Sequence, residues 1–225
     1  MRAFPARIIG GPAADGAEPD GVAPPGRVRA HRRLRLGVSM SEHATAGRIR
    51  PATPTDVPEI LAMIRDLADY ERSLDEVETT EEQLTALLFG GTPAAPGAAA
   101  TTPNGAPAAY VHVVEHPNAD RGTALGAFAL WFLNTSTWTG THGVYLEDLY
   151  VRPELRGSGY GKGLLQALAQ VCQERGYRRL EWWVLDWNEP ALGFYRGIGA
   201  VGMDEWTVHR VTGDALDALA DGDDS

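Results

Sequence analysis

The sequence predicts an α/β protein built on a single mixed, mostly antiparallel sheet with helices on both faces. Two observations carry most of that reading. Three strand-like runs, at 109–115, 124–133 and 143–151, follow one another with no helix between them, as in a meander. The last of them then runs straight into a glycine-rich turn and a helix over Tyr145–Gly163, YLEDLYVRPELRGSGYGKG. Helical patterns before the meander, and alternating helix and strand patterns after it, complete the order β, two helices, three strands, helix, strand, helix, strand.

Element by element, Arg48–Ala52 reads as a short strand. Asp56 to Arg72 reads as a helix: Asp56 and Glu59 have capping-box spacing, Pro58 is tolerated in a first turn, and Ile60, Ile64, Leu67 and Ala68 share a face. A second helix starts at Thr79 or Thr80 and buries Leu84, Leu87 and Leu88. Strands follow at Ala109–Glu115, Ala124–Leu133 and Gly143–Val151. The helix after the glycine-rich turn spans Gly161–Arg175, with Leu164, Leu165, Leu168 and Val171 as its apolar stripe. Arg179–Leu185 is a strand, Glu189–Arg196 a short helix and Glu205–Val211 a closing strand. The ordered domain expected from these elements is residues 48–213.

The flanks differ in composition. Residues 1–47 are rich in Gly, Ala, Pro and Arg, lack sustained periodicity and read as a disordered extension. Met40 opens a more natural start, so the first 39 residues read as an upstream start-codon assignment or a dispensable tail, alongside a real floppy extension. Thr92–Ala108 is a low-complexity loop between helix and strand, and 214–225 an acidic disordered tail.

Composition limits the function classes. The chain has 225 residues, 44% of them hydrophobic, which suits one globular domain with spare sequence. A single cysteine, Cys172, excludes an internal disulfide framework and a multi-Cys zinc site, and the six histidines show no metal-ligand spacing, so no metal is expected. Cys172 lies inside a helix and reads as a packing residue. The longest apolar stretch, Ala124–Leu133, is too short to cross a bilayer, and the N-terminus lacks an apolar signal core; no membrane partner and a cytoplasmic address are expected. The net charge is −10, but residues 1–39 carry seven arginines against three acids, leaving 13 basic and 27 acidic groups in the rest. An acidic body argues against nucleic acid and suits a cationic substrate.

The glycine-rich turn is built to hold a pyrophosphate. Arg156, Gly157, Ser158, Gly159, Tyr160 and Gly161 form a tight loop whose backbone N–H groups can converge on an anion, and the following helix points its N-terminal dipole there. A Walker A loop is excluded because Gly161-Lys162 is followed by Gly163 and Arg156 stands where its first glycine belongs. A dinucleotide loop is excluded because the glycines fall at every second position, 157, 159, 161 and 163. What remains is Arg-x-x-Gly-x-Gly between a strand and a helix. This resembles the acetyl-CoA loop of the GCN5-related N-acetyltransferase (GNAT) superfamily, whose element order the chain also follows.

The resemblance narrows further. Tyr145–Val151 (YLEDLYV), Val184–Asn188 (VLDWN), Phe194-Tyr195, Ile49–Thr53 (IRPAT) and Asp69-Tyr70-Glu71 are similar to the spermidine/spermine (diamine) N-acetyltransferase family, over roughly Arg48–Val211. Ser136-Thr137-Trp138 and Leu185–Asn188 are closer to its thialysine acetyltransferase branch; Ser136 stands where the polyamine enzymes carry Asp, which puts polyamine preference in question.

The chemistry this implies is acyl transfer from a thioester to an amine. An alkylammonium of pKa about 10 is not nucleophilic at neutral pH, so a site must remove a proton, hold the amine, stabilise the oxyanion and protonate the leaving thiolate. Glu147, at the end of the central strand, is the candidate base, acting through a water and also anchoring the cation. Tyr195, seven residues after Asn188, is the candidate acid. By resemblance these match the family's base and acid. The resemblance also implies that Leu149, Tyr150 and Val151 pair their backbone with the pantetheine arm. Arg156, Gly157, Ser158, Gly159, Tyr160, Gly161 and Lys162 (the chain's one lysine) would hold the pyrophosphate, and Asn188, Glu189, Pro190 and Ala191 would flank pantetheine. Tyr70, Glu71 and Trp138, with Glu181, Trp182 and Trp183 more loosely, would line the amine side.

Each assignment has a bland counterpart. Glu147 can be a strand-end ion-pair partner, Tyr195 an amphipathic core residue, and Tyr70-Glu71 a frayed helix end. Asp148 points to the opposite face from Glu147 by strand alternation and reads as structural. Of Trp182, Trp183 and Trp187 at least one must be core, and Trp206 has a family counterpart near the dimer interface or site. The leading function is an acetyl-CoA-dependent N-acetyltransferase of a small cationic amine, with a protein acetyltransferase and a silent acyl-CoA-binding module as alternatives. By resemblance the protein is a homodimer.

Overall fold

The computed structural model describes residues 47–90, 102, 105–118 and 122–222. The expectations for the N-terminal extension, and most of those for the low-complexity loop, lie outside the described residues. The described residues divide into two units, a larger one that ends at Ala200 and a smaller one that begins at Val201.

The larger unit carries a five-stranded sheet in sequence order. Strands β1 (Arg48–Pro51), β2 (Tyr110–Asn118), β3 (Gly122–Ser136) and β4 (Thr141–Val151) run antiparallel, and β5 (Leu180–Trp182) joins β4 in parallel. Helices α1 (Val57–Tyr70) and α2 (Glu81–Phe89) cover one face; α3 (Tyr160–Arg175) covers the other, followed by α4 (Glu189–Gly197).

Side-chain alternation along the meander feeds both faces. Phe128, Leu130 and Tyr150 join Ile60, Leu61, Met63 and Leu84 beneath α1 and α2. Ala127, Ala129, Trp131, Val144 and Leu146 join Leu164, Leu165 and Leu168 beneath α3. Cys172 is buried in this second core, as the sequence led one to expect.

The start of α1 differs from expectation. Asp56 and Glu59 form no capping box, because each carboxylate is committed elsewhere. Asp56 accepts from Thr53 N (2.7 Å) and from both terminal nitrogens of Arg50 (2.7 and 2.9 Å), while Arg50 Nε reaches Glu115 (2.7 Å). Burial opposes the Asp56 charge, yet these donors outweigh it and hold its pKa below the ordinary carboxylate value. Glu59 instead accepts from Leu125 N (2.9 Å) and pairs with Arg152 (3.3 Å). For α2 the cap is local: Thr80 Oγ1 accepts from Gln83 N and Gln83 Oε1 from Thr80 N, at 3.2 and 2.9 Å.

Two corrections fall in the smaller unit. Glu205–Val211 is not a strand; the segment is exposed throughout, with a turn at Asp204-Glu205. Alternating apolar residues define a strand's face, but a strand also needs a ladder partner, and three-residue β5 is a short sheet edge. The acidic tail, read as disordered, forms helix α5 (Asp214–Asp221), with Asp214 and Asp217 in its first turn and Gly222 closing it at φ 76°. Acids at the N-terminal end complement the helix dipole, and the left-handed glycine terminates it. Among the described residues no helix is long and apolar enough to cross a membrane.

Candidate active site

The cleft originates in β4. Its register with β3 runs Trp131↔Leu146 and then Leu130↔Asp148, so Glu147 is an extra residue opposite nothing, a β-bulge. Pairing with β5 also stops there: Val144, Tyr145 and Leu146 match Leu180, Glu181 and Trp182, and no ladder continues. Among the described residues, one edge of β4 from Glu147 to Val151 is therefore without a strand partner, and alternate backbone N–H and C=O groups face that gap. Leu149 and Val151 pack their side chains towards α3 while Tyr150 is buried under α1, so the backbone is what these residues offer.

Past β4, a single 3-10 turn (Pro153–Leu155) delivers the chain to the N-terminus of the 16-residue α3. Gly157 and Gly159 stand at φ 81° and 87°, a left-handed backbone that glycine adopts freely, and a Cβ on either would meet nothing within 4 Å. Space is open beside both glycines, which fits an anion, although Ser158 N between them already donates to Leu155 O (3.3 Å). The other two glycines act differently. A Cβ on Gly163 would lie 2.9 Å from Ile49 Cδ1, so Gly163 serves the packing of α3 on β1; Gly161 has ordinary room beside Val151 and Phe194. Ser158 Oγ is spent on the Leu155 carbonyl (2.6 Å). The Tyr160 side chain turns into the fold, with its hydroxyl against His116 Nδ1 (2.7 Å) and Gly47 N (3.2 Å), so only its backbone can serve the loop. Arg156 and Lys162 are exposed cations beside it.

At the bulge the acids converge. Burial, then the charges of Glu147 and Glu71, push Asp148 up to about 7. Burial and the Glu71 charge push Tyr195 up to about 12. Tyr145 is also raised, by burial and then by Glu147 and Glu181. Three carboxylates from the end of α1 and the bulge of β4 thus share one field, and one of them, Glu71, also acts on the α4 phenol. Asp148 is the residue the sequence reading missed. It pairs with Leu130 and lies on the same face as Tyr145, because the bulge at Glu147 resets the alternation. The adjacent acids Glu147-Asp148 at a strand end were the available signal.

This geometry has known relatives. The sequence profile of the acetyltransferase (GNAT) family matches residues 67–200. The chain belongs to the GNAT acetyltransferase family. It is 35% identical over 180 residues to thialysine N-epsilon-acetyltransferase of Bos taurus, covering 76% of this chain and 96% of that protein. It is 34% identical over 207 residues to L-ornithine N5-acetyltransferase NATA1 of Arabidopsis thaliana, covering 80% and 91%. In fold it resembles integron cassette protein VCH_CASS6 from the mobile metagenome of V. cholerae, with a TM-score of 0.58 at 20% identity, over 77% of this chain and 96% of that one.

Other predicted site residues of this acetyltransferase are placed unevenly. Tyr195 packs on Trp182 (ring centroids 4.9 Å apart) and Phe194 (5.3 Å), which puts Trp182 on the α3 side. Trp183 lies on the opposite face, edge-on to Tyr145 at 5.8 Å. Glu181 is engaged in a strand clamp, accepting from Asn134 Nδ2 (2.6 Å) and pairing with Arg179 (2.9 Å). Trp138 sits at the β3–β4 hairpin tip, 73% exposed. Six residues separate Thr141 from Glu147, so the tip lies about 20 Å along the strand from the bulge; within one chain the fold does not bring Trp138 there. Asn188 caps α4, accepting from Ala191 N (3.3 Å), with Glu189 and Pro190 exposed in its first turn. Trp206 belongs to the smaller unit.

Proposed function

We propose that this acetyltransferase moves the acetyl group of acetyl-CoA directly to a primary amine of a small cationic substrate, of the kind named for its relatives: thialysine, ornithine or a polyamine. The observation that supports it best is the gathering of Glu71, Glu147 and Asp148 where β4 parts from β5, with the Glu71 charge also reaching Tyr195. A negative field there concentrates an ammonium, and the open edge of β4 accommodates an extended amide-bearing arm beside it.

The residues divide the work. The backbone of Leu149–Val151 would hold the pantetheine arm, and the amides of Gly157–Lys162, with the Arg156 and Lys162 charges, the pyrophosphate. Acetyl-CoA supplies an activated acyl group whose C–S bond breaks as the new N–C bond forms. Glu147 takes the amine's proton through a water and holds the cation before that. Tyr195 gives its proton to the departing sulfur. Its raised pKa keeps the phenol protonated at neutral pH, and the same burial and negative field raise the proton affinity of a thiolate formed beside it. We further read the protein as a cytoplasmic homodimer, by its likeness to the family; gel filtration giving only monomer removes the dimer.

The test is release of free coenzyme A, followed with a thiol reagent, for wild type and Tyr195→Phe with thialysine, lysine, ornithine, spermidine and putrescine. Turnover that falls at least tenfold in the variant supports the reading, and the preferred amine names the substrate. Saturable acetyl-CoA binding without turnover on any of these amines overturns it in favour of a protein substrate or a silent acyl-CoA-binding module.

A further inference from the structure

The sequence reading places Tyr70 on the amine side, and the structure adds contacts to two other segments. Its ring carries the Arg156 guanidinium at 5.2 Å from the centroid. Its hydroxyl donates to Asn188 Oδ1 (3.3 Å), the oxygen that also accepts from Ala191 N to cap α4. Both partners belong to the segments assigned above to the cofactor. Tyr70 therefore ties the pyrophosphate loop to the cap of α4 across the mouth of the cleft, joining segments far apart in sequence.

The end of α1 is shaped to hold this bridge. Helix α1 closes with Ser73 N donating to Ala68 O (2.8 Å), a turn that requires a left-handed residue before it, normally glycine. Here that residue is Arg72, at φ 60°, the one non-glycine with positive φ among the described residues. A residue that carries a Cβ accepts this strain when its surroundings fix it. The Arg72 guanidinium lies over the Trp187 ring at 5.8 Å, and Trp187 in turn meets Tyr70 at 6.0 Å. Tyr70 and Arg72 thus grip the Trp187-Asn188 turn together.

A guanidinium resting on an aromatic face keeps its N–H edge outward, so stacking fixes its plane without using its donors. Arg156 Nε is directed to the Val151 carbonyl (3.3 Å), which leaves the terminal nitrogens as the part able to meet an anion. Without the ring the arginine is an exposed, freely rotating cation, and ordering it on binding has an entropic cost.

We propose that Tyr70 is a positioning residue for the acyl-CoA, acting through Arg156 and Asn188. The inference rests on the acetyl-CoA reading above. It is tested with the full chain by calorimetric titration of coenzyme A, alongside steady-state kinetics in both substrates, for wild type, Tyr70→Phe, Tyr70→Leu, Arg156→Ala and the Tyr70→Leu/Arg156→Ala double variant. Tyr70 is 38% exposed, so these changes leave the core intact. Tyr70→Leu is expected to weaken coenzyme A about tenfold and Tyr70→Phe, which keeps the ring, about threefold. The KM for acetyl-CoA follows, while the KM for the amine stays within about twofold. In the Arg156→Ala background the leucine change loses most of its effect, since the shelf no longer has anything to hold. Coenzyme A affinity unchanged in Tyr70→Leu with a raised amine KM overturns the inference, as does a full, additive loss in the double variant; both leave the proposed function standing. Wild type that binds no coenzyme A removes the proposed function and the inference together.

Discussion

The two halves of β4 share one strand and one neighbour in β3, and they differ in what lies on the other side. From Val144 to Leu146 the strand is paired on both edges, and all three side chains are buried. From Glu147 to Val151 it is paired on one edge, begins with a bulge, and carries two adjacent acids. The first half is made of fold and the second of site. A single inserted residue separates them: the bulge ends the match with β5, redirects the side chains and gathers charge beside an open backbone edge.

That contrast can be broken from either side. Leu146, 2% exposed, should respond as core: Leu146→Ala is expected to cost about 2–5 kcal/mol of stability, read by urea unfolding, with kcat per folded molecule little changed. Glu147→Gln should do the reverse, with kcat/KM falling about a hundredfold at neutral pH and the unfolding midpoint hardly moving. If the glutamine variant loses stability and keeps its activity, Glu147 belongs with the structural half.

Asp148 sharpens the comparison because its charge is disfavoured in the folded state. A carboxyl whose folded pKa is about 7, against an ordinary value of 3.8, binds more protons folded than unfolded. Its contribution is therefore lost as pH rises from about 4 to 7 and is level above that. Asp148→Asn is expected to be more stable than wild type at pH 8, with the advantage shrinking as the pH is lowered towards 4; a pH-independent gap would refute the assignment. The smallest effect belongs to Val151→Ile, since that residue presents its backbone to the cleft. Its KM for acetyl-CoA should change less than about twofold.

Much of the fold was legible because it rests on local patterns. The period of the apolar residues marked the helices and the meander, and the start of α2 at Thr79 or Thr80 lay within a residue or two of its place. What misled was local pattern without its partner. Asp56 and Glu59 had the spacing of a cap, but Arg50 and Arg152, distant in sequence or on another element, claimed their oxygens. Glu205–Val211 had strand-like alternation and no ladder, and Asp214–Asp221 had an acidic composition that hid a helix. At the site, the glycine loop and the pair Glu147 and Tyr195 could be named beforehand. Glu181 could not be distinguished from a substrate ligand until Arg179 and Asn134 were found on it.

By itself the sequence determined the glycine-rich turn and its helix, because backbone conformation follows from residue type at fixed spacing, and its likeness to known acetyltransferases gave the class of chemistry. Only the tertiary structure decided which glycines face open space and which face Ile49, that Asp148 joins the acids at the cleft, and that Tyr70 reaches Arg156 and Asn188. Those outcomes depend on a one-residue bulge and on packing between elements far apart in the chain, and neither is encoded in any short window of residues.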